Sequence, residues 1–322
     1  MRPKCSLKLY SNFLIANHNR YSGVELARVA PDATLAHDAV NRWLGRADFT
    51  SRDLWREVKP LVTISTGYLV CDDTLLDKRY SRENELARLQ YSGNAHGLVN
   101  GIVLVNLLWT DGTEFVPVDY RFYDKTRDDK TKNDHFCTML EKAHKRDFTP
   151  QYVLMDSWYG SVANLKQINQ YGWQWITNLK SNRQVSETKG VYCAISDLNL
   201  GNEQLKHVWL KEYGNVIVGK LVATNGDIVY LATNDLTFTN YQDLTDHWHH
   251  RWMVEEFHRG IKQTTGIAKC YSIKATSQKA HIFAAFTAFI RLEKRRLKTA
   301  VSWYEQKALI VRSATREYLT SA

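Results

Sequence analysis

The chain of 322 residues carries 43 Lys+Arg against 34 Asp+Glu, a formal net charge of +9, with 44% hydrophobic and 24% charged residues. That balance excludes wholesale disorder. The most apolar stretch, Ile282 to Ile290, is interrupted by Thr287 and is far shorter than the ~20 residues a bilayer span needs, so no membrane partner is expected. The start, Met1-Arg-Pro-Lys-Cys-Ser6, is basic, but no apolar signal core follows. Five cysteines (Cys5, Cys71, Cys137, Cys193, Cys270) are scattered with no CxxC pair. A disulfide framework or Cys-rich zinc site is not expected, and a cytoplasmic location is. The charge is uneven: residues 1–66 sum to +4, residues 67–240 to −2 and residues 241–322 to +7. Basic ends around a slightly acidic middle point to a polyanion partner, or to a plain solvated basic surface.

Residues 1–66 read as a helical region. Val24–Ala30 and Ala36–Leu44 form two helices around the break Pro31-Asp-Ala-Thr34. Asn41 and Arg42 sit on the second. The pair resembles a helix-turn-helix, and a plain helical bundle fits as well.

From Gly67 the texture changes. Tyr68-Leu-Val-Cys-Asp72 is a short apolar run ending in acids, the pattern of a strand buried on both faces. Leu98–Trp109 and Glu114–Tyr123 are strands joined by the turn Thr110-Asp-Gly-Thr113. Asp124–Asn133 is a charged loop, and Asp134–Lys145 an amphipathic helix. Tyr152-Val-Leu-Met-Asp156 is another buried strand closed by an acid. A helix over Ser161–Tyr171 and a strand over Trp173–Thr177 follow. The order is a hairpin meander feeding βα units, hence a mixed α/β sheet over residues 67–177. Residues 178–240 read as a β-rich insertion with strands at Val208–Leu210, Val216–Val218 and Ile228–Ala232. Residues 241–322 return to helix over Tyr241–Gln263 and Ser277–Thr299.

Three acids stand out: Asp72 and Asp156 at strand ends, and Glu255 within Trp248-His-His-Arg-Trp-Met-Val-Glu-Glu-Phe-His-Arg-Gly-Ile-Lys262. At 100° per residue, Trp248, Arg251, Arg259 and Lys262 fall within about 40° of Glu255, with Met253, Phe257 and Ile261 opposite. One carboxylate thus stands among three cations and an aromatic. A solvated ion-pair stripe would look the same. Converging carboxylates would favour Mg²⁺ or Mn²⁺, and two such ions about 4 Å apart can clamp an in-line phosphoryl displacement.

The spacing Arg251-x3-Glu255-x6-Lys262, with an aromatic three residues before the Arg, resembles the Tyr-x2-Arg-x3-Glu-x6-Lys signature of a group of bacterial insertion-sequence DDE transposases. Cys71-Asp-Asp-Thr-Leu-Leu-Asp-Lys78 resembles their first-acid motif. Val153-Leu-Met-Asp-Ser-Trp-Tyr159, with Gly160, Asn164-Leu-Lys166 and Leu179-Lys-Ser-Asn-Arg183, resembles the second. The resemblance spans roughly residues 34–295. It implies an RNase H-like catalytic core with a β-rich insertion, completed by the C-terminal helices. It implies Asp72, Asp156 and Glu255 as catalytic ligands of two Mg²⁺ (or Mn²⁺) ions, and DNA cleavage and strand transfer at the element's ends. It also implies DNA contacts from Arg251 and Lys262, with Lys180 and Arg183 joining them by family position, and at least a homodimer on DNA.

The signature's Tyr is Trp248 here, which has no hydroxyl but keeps an indole N–H. Asp72 is preferred over Asp73 because the family keeps an acid, one variable residue, then Ser or Thr, as in Asp72-Asp73-Thr74. A zinc site at His247, His249 and His250 is not expected. His258 is open between substrate contact and structure. Packing is favoured over base stacking for Trp158 and Tyr159. A nuclease of the same fold that only hydrolyses, and an inactive DNA-binding descendant, stay as alternatives.

Overall fold

The computed structural model describes residues 4–321 except 82, 94 and 224; the first three residues of the basic start therefore lie outside the described residues. Four helices open the chain: α1 (Leu7–Ala16), α2 (Gly23–Val29), α3 (His37–Arg46) and α4 (Ser51–Val58). Each start has a local cause. Ser6, Ser22 and Thr50 accept backbone N–H bonds as N-caps, and Asp53 closes a capping box with Thr50. Residues 30–36 separate α2 from α3. That connector is longer than the ~3–4-residue turn usual in a helix-turn-helix.

One sheet runs through the described residues. Its strands are β1 (Tyr68–Asp77), β2 (Arg88–Ser92), β3 (Gly97–Thr110), β4 (Phe115–Tyr123), β5 (Tyr152–Met155), β6 (Trp175–Leu179), β7 (Gln184–Ser186), β8 (Cys193–Ala194), β9 (Leu205–Leu210), β10 (Gly214–Val222) and β11 (Ile228–Thr233). The order is β2-β3-β1-β5-β6-β11-β10-β9-β7-β8, and β4 shares the outer edge of β3 with β2. β1, β5 and β6 are parallel; the other pairs are antiparallel. The strands of residues 178–240 continue this sheet, because β11 pairs with β6. Several sequence boundaries move. β1 extends five residues beyond Asp72, since β3 pairs with it as far as Asp77↔Gly101. β6 starts at Trp175, because Trp173 is instead packed edge-on against Tyr171 and His144. β2 escapes the sequence pattern, since its apolar residues Leu89 and Tyr91 face solvent.

The remaining helices are α5 (Lys132–His144), α6 (Val162–Gln170), α7 (Tyr241–His249), α8 (Met253–Thr265), α9 (Ala275–Thr299) and α10 (Trp303–Ser321). The single helix expected over Tyr241–Gln263 is broken by a 3₁₀ turn at His250–Trp252. α9 is buried nearly all round from Ala280 to Ile290 and contacts α1, α3, α4 and α8. That surround explains its apolar run without a membrane. Among the described residues no helix is long and apolar enough to cross one.

His281 ties the N-terminal helices to α9. Its Nδ1 accepts from Tyr10 OH at 2.8 Å, and its Nε2 donates to Gly266 O at 3.0 Å. Full burial pushes its pKa down to about 4. The native state therefore stays neutral while an unfolded chain protonates near pH 6.5. Stability from this group is full above pH 6.5 and is lost as pH falls towards 4, on the order of 3 kcal/mol at the limit. Urea midpoints should drop between pH 7 and 4.5, and His281→Gln should flatten that drop. An unchanged slope in the variant would refute the assignment.

Candidate active site

β1 and β5 lie side by side and parallel, with Cys71 opposite Met155. The next residue of each strand path is Asp72 or Asp156, so the sheet register sets the two acids next to each other on one face. Asp156 is fixed by its own turn: its Oδ1 accepts from Trp158 N at 2.9 Å and Tyr159 N at 3.3 Å. Asp72 Oδ1 accepts from Asp73 N at 2.8 Å. Burial, then repulsion from Asp73 and Asp156, pushes Asp72 up to about 7. Burial also raises Asp156.

Asp73, the next residue along β1, lines the same cleft as Asp72. It accepts from Lys132 Nζ at 2.7 Å and from Tyr159 OH at 2.8 Å. Lys132 lies in the stretch 124–133 that the sequence pattern presents as a charged loop. The signal for a helix start was present in the capping box of Thr131 with Asp134, which begins α5 at Lys132.

α8 crosses beside β1 and brings Glu255. Glu255 Oε1 accepts from Arg251 Nη2 at 2.8 Å, an i,i+4 pair that survives the 3₁₀ turn. The Arg251 guanidinium lies 5.2 Å from the centre of the Trp248 ring. Lys262 is half-buried; burial lowers its pKa while Asp72 supports its charge. Asp72, Glu255, Arg259 and Lys262 line one cleft of about 980 Å³. Phe257 and Ile261 are buried on the opposite side of α8, as the helical wheel requires. His258 is buried, accepts from Asn106 Nδ2 at 2.9 Å, and is pushed down to about 3 by desolvation and by Lys262. The same residue also lines the cleft.

The other expected residues sit further out. Lys180 is exposed, 5.6 Å from the Trp158 ring centre. Arg183 is half-buried and its Nη2 donates to Gly160 O at 3.4 Å. Trp158 itself is 56% exposed, against the packing expectation, whereas Tyr159 is fully buried. Asn41 and Arg42 are exposed on α3 and do not line the cleft. His247 bonds Tyr68 OH and His250 stacks on the same ring, which accounts for two of the three clustered histidines.

Residues 70–290 match the model of the family described as "Transposase DDE domain". The chain belongs to that family. It is a DDE-type DNA transposase. No curated protein sequence matches the chain. Among solved structures, the cryo-EM structure of a piggyBac transposase synaptic complex with hairpin DNA is similar at a TM-score of 0.57 and 11% identity, covering 98% of this chain and 71% of that one. This likeness bears out the RNase H-like fold. A Drosophila P element transposase strand transfer complex aligns over 54% of this chain and 38% of its own, at 15% identity and a TM-score of 0.26, which carries no weight for the fold.

DDE transposases use divalent metal ions. Two hard carboxylates on adjacent strands, both half-buried and both raised in pKa first by desolvation and then by neighbouring carboxylates, fit such an ion, which prefers oxygen ligands. Among the described residues no three His, Cys, Asp or Glu side chains are placed close enough to enclose one. Glu255 is paired with Arg251 and Asp73 with Lys132.

Buried like charges cost stability when no cation offsets them. In EDTA, Asp72→Asn should raise the melting temperature by a few degrees, about 1–2 kcal/mol. Mn²⁺ should stabilise the natural chain and leave the variant unmoved. A variant that melts lower than the natural chain would remove the electrostatic account of this site.

Proposed function

We propose that Asp72, Asp156 and Glu255 are the catalytic triad of an insertion-sequence transposase of the bacterial group carrying the Tyr-x2-Arg-x3-Glu-x6-Lys signature. The single observation that supports this most is the adjacency of Asp72 and Asp156 on parallel strands, with Glu255 of α8 lining the same cleft as Asp72. The three residues would hold two Mg²⁺ or Mn²⁺ ions. When bound, these ions supply charge stabilisation to a phosphoryl group in flight and lower the pKa of the attacking hydroxyl. Asp72 is the ligand in preference to Asp73, whose two oxygens are already taken by Lys132 and Tyr159.

The chain's own residues do the rest. Glu255 exchanges Arg251 for its place among the acids. Arg251, freed in that exchange, turns to a phosphate of the element's end with Trp248 beside it. Arg259 and Lys262, one and two turns further along α8, take the flanking phosphates. Lys180 and Arg183 extend the basic track past Asp156. The helical region of residues 1–66 reads the terminal repeat through the α3 surface that carries Asn41 and Arg42. The catalytic core is residues 67–177 completed by 241–322, and residues 178–240 form the β-rich insertion between the second Asp and the Glu. Two ends must be cut in concert, so the working form is a homodimer on DNA.

The test is cleavage and joining of DNA carrying the element's own ends. Glu255→Gln should lose at least 10³-fold in both steps, while end binding in EDTA is retained. Undiminished cleavage by the variant would sink the triad. Cleavage without joined products would favour a purely hydrolytic nuclease.

A further inference from the structure

The cleft does not stop at the acids. From Asp72 it follows β1 through Asp73, Thr74 and Leu75 to Asp77, which at ~3.4 Å per residue is about 17 Å of groove floor. One wall is α8, presenting Arg259 and Lys262; neither makes an ion pair among the described residues. The facing wall is the β2–β3 hairpin, where Tyr91 and Val99 reach the groove.

That hairpin is unusual for a sheet edge. Natural edges are guarded by charges. Here Tyr91 is 69% exposed, and its cross-strand partner Leu98 and its same-face neighbour Leu89 are each 65% exposed. A wall of unpaired cations opposite an aromatic platform is the arrangement that holds single-stranded nucleic acid: cations follow the phosphates and a ring takes the face of a base. A duplex conceals its base faces within the stack and has no use for Tyr91.

We propose that the DNA strand leaving the acids lies unpaired in this groove, with phosphates on Arg259 and Lys262 and a base stacked on Tyr91. The inference rests on the transposase reading and adds to it the state of the substrate: single-stranded on the β2–β3 side of the cut. Stacking of this kind tolerates any base, so Tyr91 confers strandedness, not sequence.

The experiment measures fluorescence anisotropy in EDTA with the full chain carrying Glu255→Gln. The probes are a blunt duplex of about twenty base pairs and the same duplex with a short single-stranded thymidine tail, placed at either the 3′ or the 5′ end. The tail should tighten binding. Adding Tyr91→Ala should weaken tailed DNA by roughly fivefold to a hundredfold and leave blunt DNA unchanged, and Tyr91→Phe should retain the preference. A 2-aminopurine in the tail should be quenched by the chain with Tyr91 and not by Tyr91→Ala. The proposal is overturned if tailed and blunt DNA bind equally, or if Tyr91→Ala keeps the full preference, in which case the hairpin face serves a protein contact. Failure of the triad reading would show separately, as metal-dependent cleavage that survives Glu255→Gln.

Discussion

Two half-buried carboxylates on neighbouring parallel strands, both raised in pKa first by desolvation, are the constraint around which this protein is built. The sheet forces the pair together: β1 and β5 are parallel and in register, so Asp72 and Asp156 cannot separate without breaking the sheet. The surroundings offset part of the cost. Arg251 comes in from the 3₁₀ turn, Lys262 from α8, and Lys132 pairs with Asp73. Asp72 is still held near pKa 7, so the offset is incomplete. A site in this condition is poised to take up positive charge, which is the electrostatic requirement of metal-assisted phosphoryl transfer.

Buried lysines fix the position of α8. Lys78, at the far end of β1, donates to Ala268 O at 2.8 Å and Cys270 O at 2.9 Å just beyond α8. Lys307 of α10 donates to Thr264 O at 2.9 Å and to Asn17 O at 2.7 Å. Ammonium groups on the last carbonyls of a helix satisfy otherwise unpaired acceptors and complement its dipole. The same two contacts anchor α8 to the strand bearing Asp72 and to the N-terminal helices. Glu255, one helix length away, is thereby held at a set distance from Asp72. The burial of Phe257 and Ile261 leaves the helix only one way to face.

Much of this was legible in the sequence. The buried strands β1 and β5 announced themselves as short apolar runs closed by acids, and the wheel around Glu255 correctly separated Phe257 and Ile261 from the polar stripe. Other features carried no local signal. The 3₁₀ turn at His250–Trp252 interrupts a run whose residues are all acceptable in a helix; what selects it is the packing of His250 on Tyr68, a residue far away in the chain. β2 was missed because its apolar residues face outward, which defeats any rule that expects them inside. His258 was ambiguous in sequence because a histidine's role depends on its partner, and Asn106 lies on a distant strand.

The sequence by itself determined the ordered acids, the basic character of the last helices and the alternation of strand and helix, because these depend on residue type and near-neighbour spacing. Only the folded chain shows which cations are engaged by Glu255 and Asp73, and that the strands of residues 178–240 extend the core sheet. It also shows that a basic helix and an exposed aromatic hairpin share one groove. Those outcomes depend on strand register and on contacts between residues far apart in the chain, where local pattern carries no information.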